Sequence, residues 1–152
     1  MSAEHLYEVD VNWVNDRVGM LSSTELTDEV SVATPPQFAK GVENIWSPEH
    51  LFTAAVNSCL MTTFLAIAEN SRLEFESFNS RALGKLEIVD GKYIMSEVTL
   101  IPELTITSEE QREKALRVLQ KSEAACLISN SIKSKIIFKP EIVVRSVIVA
   151  AV

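Results

Sequence analysis

The stretch "SPEHLFTAAVNSCL", residues 47 to 60, sets an acid near the start of an apolar run and a cysteine ten residues beyond it. The chain has 2 cysteines, Cys59 and Cys126, and 2 histidines, His5 and His50. A thiol reacts as its thiolate, and a nearby cation or a helix N-terminus favours that form. In mid-helix, Cys59 has no helix terminus to help it, so a cation has to come from elsewhere. Arg17 is a candidate, because a guanidinium stays charged and carries its donors in fixed directions. A carboxylate such as Glu49 would hold it through a bidentate pair. Free cysteine is also among the most buried residue types, so composition alone favours inert packing for both thiols. The same default makes Arg17 and Glu49 a surface charge or a structural pair, His50 a helix-surface residue, and Trp13 and Trp46 core or interface anchors.

Helix geometry limits how Glu49 takes part. The ten residues from Glu49 to Cys59 climb roughly 15 Å at about 1.5 Å each, so the two side chains cannot meet within one helix. If two copies of the helix cross antiparallel near Ala54 and Ala55, where small side chains allow close approach, Glu49 of one copy falls level with Cys59 of the other. The expectation is a two-fold homodimer whose sites are completed in trans.

Composition narrows the classes of partner. A chain of 152 residues fits one domain, 1–152, able to bury roughly 70% of the surface its unfolded form exposes. Lys and Arg number 14 against 21 Asp and Glu, a net charge of -7, which repels polyphosphate backbones and anionic membrane surfaces. The one lysine-rich segment, "NSIKSKIIFK", reads as a solvated strand edge, so neither nucleic acid nor membrane is expected as a partner. No apolar run reaches the roughly 18 residues of a membrane span, and the polar, acidic start "MSAEHLYEVD" resembles no targeting segment. The reading is a cytoplasmic protein, where thiols are kept reduced and a permanent disulfide is disfavoured. No metal is expected either: zinc asks for about four ligands at short paired spacings, and neither histidine stands so with a cysteine. The 4 glycines are isolated in turns, so no phosphate-binding loop and no nucleotide cofactor is implied.

The elements that must position these residues follow from periodicity. Tyr7, Val9, Val11 and Trp13 alternate with polar residues, the period of a half-buried strand. "NDRVGML" supplies a turn before strands near Met20 to Thr24 and Glu29 to Ala33, and "TPPQFAKGVENIW" reads as a loop. Ser47 suits an N-cap and Pro48 the first helical position, opening a helix to about Ser71 that is apolar on nearly every side and is therefore expected to be buried on most of them. Glu76 to Val89 and Lys92 to Thr107 form a hairpin about Asp90-Gly91. Ser108 and Gln111 are spaced as a capping box for a second helix, on which Ala115, Leu119, Ser122 and Cys126 form an inward stripe. β-Branched runs, Lys135 to Phe138 and Ile142 to Val152, close the chain. The order of elements is α+β with antiparallel sheet.

Two segments carry a family likeness. "SPEHLFTAAVNSC" is similar to the N-P-E-x-L-x-x-A-x-x-x-C segment of the OsmC/Ohr thiol-dependent peroxidases, and "CLISNSI" to their C-P-x-S-N segment. Arg17 in "NDRVG" also matches in place, and the chain resembles that family over nearly its whole length. Leu127 stands where the family has Pro, and Ser47 where it has Asn. The resemblance implies antiparallel β-sheets wrapped around a long central helix in an intertwined homodimer. It implies that Cys59 attacks an organic hydroperoxide, with hydrogen peroxide an open second substrate, and that Cys126 resolves the sulfenic acid to an intrachain disulfide. A dithiol reductant, lipoyl-type or a small thiol, would reopen it. Arg17 would stabilise the thiolate and orient the peroxide, with Glu49 orienting Arg17, both from the partner subunit. Two alternatives stay open: a dimeric small-molecule-binding protein with inert thiols, and a redox sensor with negligible turnover.

Overall fold

The computed structural model describes residues 3–145. The chain divides into two compact units, Met1–Leu51 and Phe52–Val152. In the first, strands β1 (Asp10–Asn15), β2 (Val18–Ser22) and β3 (Val30–Ala33) form an antiparallel meander in that order. The β1–β2 turn is the pair Asp16-Arg17, with Asp16 at φ 43°, the left-handed conformation that Asp tolerates. Gly19 lies within β2 and not in the turn. A loop follows in which Val42 N–H donates to the Thr34 carbonyl at 2.9 Å and Ala33 N–H to the Trp46 carbonyl at 2.8 Å, so the chain returns beside β3 before helix α1 (Pro48–Asn70).

Strand β1 is exposed at every residue, with Trp13 78% accessible. Its alternation predicts one buried face. Among the described residues neither face of this edge strand is covered.

The second unit is built on a long hairpin, β4 (Ser77–Val89) and β5 (Lys92–Ile106). Its two-residue turn is as predicted: Asp90 at φ 50° and Gly91 at φ 77° are the positive angles that match strand twist. After β5 a 3₁₀ turn (Glu109–Gln111) leads into α2 (Arg112–Ala125), α3 (Leu127–Ser131), β6 (Lys135–Phe138) and β7 (Glu141–Val144). Strands β6 and β7 both pair parallel to β5, at Glu97–Leu100 and Glu103–Ile106 respectively. The sheet is therefore mixed, where an antiparallel one is expected. The helical crossover from β5 returns the chain in the same direction, and the two short strands are one edge interrupted at Lys139-Pro140, since proline has no N–H for the ladder. The predicted run extends to Val152; residues 146–152 lie outside the described residues.

Helix α1 starts at the predicted cap: the Ser47 hydroxyl accepts from His50 N–H at 3.2 Å. Its end is a Schellman arrangement, with Leu73 N–H to the Ala68 carbonyl at 2.9 Å, Arg72 N–H to the Glu69 carbonyl at 3.1 Å, and Arg72 at φ 53°. Between them Val56, Cys59, Leu60, Phe64 and Ala68 make one buried stripe. This stripe packs on β5 and α2 in two clusters, Val56 and Leu60 with Val98 and Leu100 of the strand, and Phe64 and Ala68 with Leu104 and Ile106 of the strand and Leu119 of the helix. At Gly84 a Cβ would collide with Thr53, so a side chain there would push α1 off β4. The opposite face, including Met61 and Leu65, is exposed, so the helix is buried on one stripe and not on most sides. By length and composition α1 could also cross a membrane, contrary to the count of apolar residues above, but its buried stripe is committed to the β5 face.

The stripe of α2 is as expected, with Ala115, Leu119 and Ser122 buried and Cys126 next in line. The capping box is not: Ser108 makes no side-chain cap bond. Glu109 instead binds Arg112 through two hydrogen bonds, 2.7 and 3.1 Å, and the backbone tightens into the 3₁₀ turn.

Candidate active site

The mid-helix position of Cys59 follows from the α1 stripe, which leaves it 9% accessible on the side facing the C-terminal helices. One turn on, the Thr63 hydroxyl lies 3.8 Å from its sulfur. Cys126 occupies the joint between α2 and α3, where its extended backbone (φ −64°, ψ 110°) ends one helix and opens the next. Asn130 fixes that joint: its side-chain amide donates to the Ala124 carbonyl at 3.1 Å and its N–H to the Cys126 carbonyl at 3.0 Å. The Cys126 side chain is wholly buried. Its S–H faces two acceptors on α1, the Val56 carbonyl at 4.0 Å and the Cys59 sulfur. Two cysteines far apart in sequence thus meet as free thiols.

Their electrostatics are unequal. Burial raises the Cys59 thiol, but donors outweigh it: the Ile128 N–H, the Cys126 S–H, the Thr63 hydroxyl and the Leu127 N–H together hold it below the ordinary thiol value. Cys126 moves the other way. Burial pushes it up, the Ser129 hydroxyl and N–H pull it down, and the adjacent Cys59 adds to the rise. Cys59 is therefore the more readily ionised member of the pair, and Cys126 the one that holds its proton and donates to it.

The OsmC-like protein model matches residues 41–141, the span that holds both cysteines. The chain belongs to the OsmC-like protein family. Among individual relatives, the uncharacterized protein YmaD of Bacillus subtilis is 24% identical over 139 residues, 88% of this chain and 91% of that protein. An OsmC-like protein of unknown function from Vibrio cholerae superposes with a TM-score of 0.80 at 23% identity, over 90% of this chain and 99% of that one. An organic hydroperoxide resistance protein from Elizabethkingia anophelis does so with a TM-score of 0.75 at 19% identity, over 95% and 100%. These likenesses establish the OsmC-like α+β fold.

In this OsmC-like chain the four expected site residues fall in two groups. Cys59 and Cys126 are in contact within the second unit. Arg17 and Glu49 belong to the first, Arg17 exposed in the β1–β2 turn and Glu49 half-buried in the first turn of α1. His50 is part of the helix cap, its Nδ1 2.6 Å from the Ser47 hydroxyl. Among the described residues no three His, Cys, Asp or Glu side chains converge as metal ligands would.

One expectation is corrected: Cys59 does have helix-end donors, supplied by the first turn of α3 and not by its own helix. Ile128 and Thr63 carry no sequence signal as site residues. Leu127 and Ser129 lie in the "CLISNSI" segment that bears the family likeness, which assigns neither of them a donor role toward the thiols.

Proposed function

We propose that the protein is a thiol-dependent peroxidase of organic hydroperoxides. The observation that carries this reading is the buried contact of two free thiols on different helices, one favoured as thiolate and one not. In the reaction the Cys59 thiolate attacks one peroxide oxygen, the O–O bond breaks, and the leaving alkoxide takes a proton to depart as alcohol. The Cys59 sulfenic acid that remains is attacked by Cys126, an S–S bond forms and water leaves. A dithiol then reduces the disulfide and restores both thiols. No metal or organic cofactor is needed, because both electrons come from the thiols. The buried apolar stripe of α1 on which Cys59 lies, with Val56 and Leu60 beside it, favours an organic peroxide over hydrogen peroxide.

The working form is a homodimer in which the partner's β1–β2 turn and α1 start supply the Arg17 and Glu49 side chains. Supporting this are the apolar side chains that one chain leaves open, Val11 and Trp13 on β1 and Met61 and Leu65 on α1. Faces of this kind mark association surfaces. Cytoplasmic residence suits a pair that must return to the dithiol state.

The test is consumption of an organic hydroperoxide with a dithiol as sole reductant, followed across pH. Because Cys59 is held below the ordinary thiol value, the rate of the oxidation step levels off at lower pH than it would for a free thiol. It falls about tenfold per pH unit once pH drops below the Cys59 value. A rate still climbing tenfold per unit toward the free-thiol range near about 8.5, or no consumption at all, would overturn the proposal.

A further inference from the structure

The Ser129 side chain is 8% accessible, and its hydroxyl oxygen is buried without a hydrogen-bond partner. A buried hydroxyl left so carries an uncompensated desolvation cost, and its place in the fold is beside Cys126. Cys126 is the N-cap of α3 and Ser129 the third residue of that helix, so the backbone geometry of a cap aims the Ser129 N–H at the Cys126 side chain. A neutral thiol is a poor acceptor, and Cys126 makes no cap bond. A thiolate there would take both the N–H and the hydroxyl.

We propose that Ser129 arms Cys126 for the second step: it holds an unspent donor that receives the negative charge of Cys126 once peroxide has discharged Cys59. This rests on the peroxidase reading and extends it to the order of events. Before oxidation, Cys59 faces Cys126 from α1 as the one titratable neighbour acting on it among the described residues, and its charge opposes ionisation of Cys126. Oxidation turns Cys59 into a neutral sulfenic acid and removes that opposition. The Ser129 donors then act alone against burial. The Cys126 sulfur, stabilised as thiolate, attacks the Cys59 sulfur; the S–S bond forms, the S–O bond breaks, and the hydroxide leaves as water with the proton Cys126 gave up. Each thiol is thus a nucleophile only in its turn.

The experiment is thiolate absorbance titration of Cys126 in the Cys59→Ser protein, where a neutral hydroxyl stands in for the discharged sulfur, with Cys59→Ser/Cys126→Ser as blank. Cys126 ionises at lower pH there than in the wild type. Adding Ser129→Ala moves its ionisation up by about one unit, a tenfold loss of thiolate at a fixed pH below it, and Ser129→Thr restores it. In a protein with both cysteines, Ser129→Ala slows disulfide formation about tenfold more than it slows trapping of the Cys59 sulfenic acid. An unchanged Cys126 titration in Ser129→Ala, or equal slowing of both steps, overturns the proposal. The titration needs no peroxide, so its failure is told apart from failure of the peroxidase reading.

Discussion

Replacing Cys59 with serine abolishes hydroperoxide consumption, while replacing Cys126 with serine leaves the first oxidation intact and stops the cycle after it. The asymmetry follows from the donors around each sulfur. Cys59 collects the Ile128 and Leu127 N–H groups, the Thr63 hydroxyl and the Cys126 S–H, which make it ionise more readily than an ordinary thiol. A serine hydroxyl in its place is not ionised by such donors. Consumption falls at least about a thousandfold, as when a covalent nucleophile is removed. In Cys126→Ser a hydroxyl takes the place of the S–H as one donor among several, so the Cys59 thiol still reacts. Its sulfenic acid then persists, trappable in proportion to protein, and no intrachain disulfide forms. Equal inactivity of both variants in the first oxidation would contradict the division of labour.

Two inactive variants combined in one cell regain activity if the sites are completed across the dimer. Arg17→Ala removes the guanidinium from the β1–β2 turn, and loss of a charge-stabilising donor of this kind costs about a hundredfold or more. Cys59→Ser removes the nucleophile. Co-expressed, half of the dimers are mixed, and each mixed dimer holds one site with the Cys59 of one chain and the Arg17 of the other. The mixture recovers about a quarter of the wild-type rate. If Arg17 serves the thiol of its own chain, no site in a mixed dimer is whole and the rate stays at the level of the parents. The roughly 15 Å climb from Glu49 to Cys59 already separates the orienting acid from the thiol of its own helix, which is why recovery is the expected result.

Local signals in the sequence were reliable where the chain answers to itself. Ser47-Pro48 opens α1, Asp90-Gly91 closes the hairpin with both residues at positive φ, and the spacing of Ala115, Leu119, Ser122 and Cys126 gives the buried side of α2. Contacts made at a distance were not legible. The alternation in β1 says that one face wants burial and is silent on what covers it. β6 and β7 have the composition of strands, but their direction beside β5 is decided by the helical crossover before them. For Cys59 the decisive donors come from residues 127 and 128, and no spacing rule joins them to residue 59. The family resemblance named the two thiols. It did not say that the α2–α3 break, held by Asn130 and made without glycine or proline, turns the α3 backbone toward them. Ser108 marks the opposite failure: a cap motif read correctly as a motif, whose neighbour Glu109 found a stronger partner in Arg112.

The most direct measurement is a single turnover of the reduced protein with one equivalent of an organic hydroperoxide and no reductant, followed by counting thiols and mapping the bridge in the unreduced chain. The thiol pair in contact predicts that Cys59 and Cys126 are lost together, that one alcohol is released per chain, and that the two sulfurs are joined within it. Both thiols still titratable beside unconsumed hydroperoxide would contradict the account, as would Cys59 driven to higher acids while Cys126 stays free.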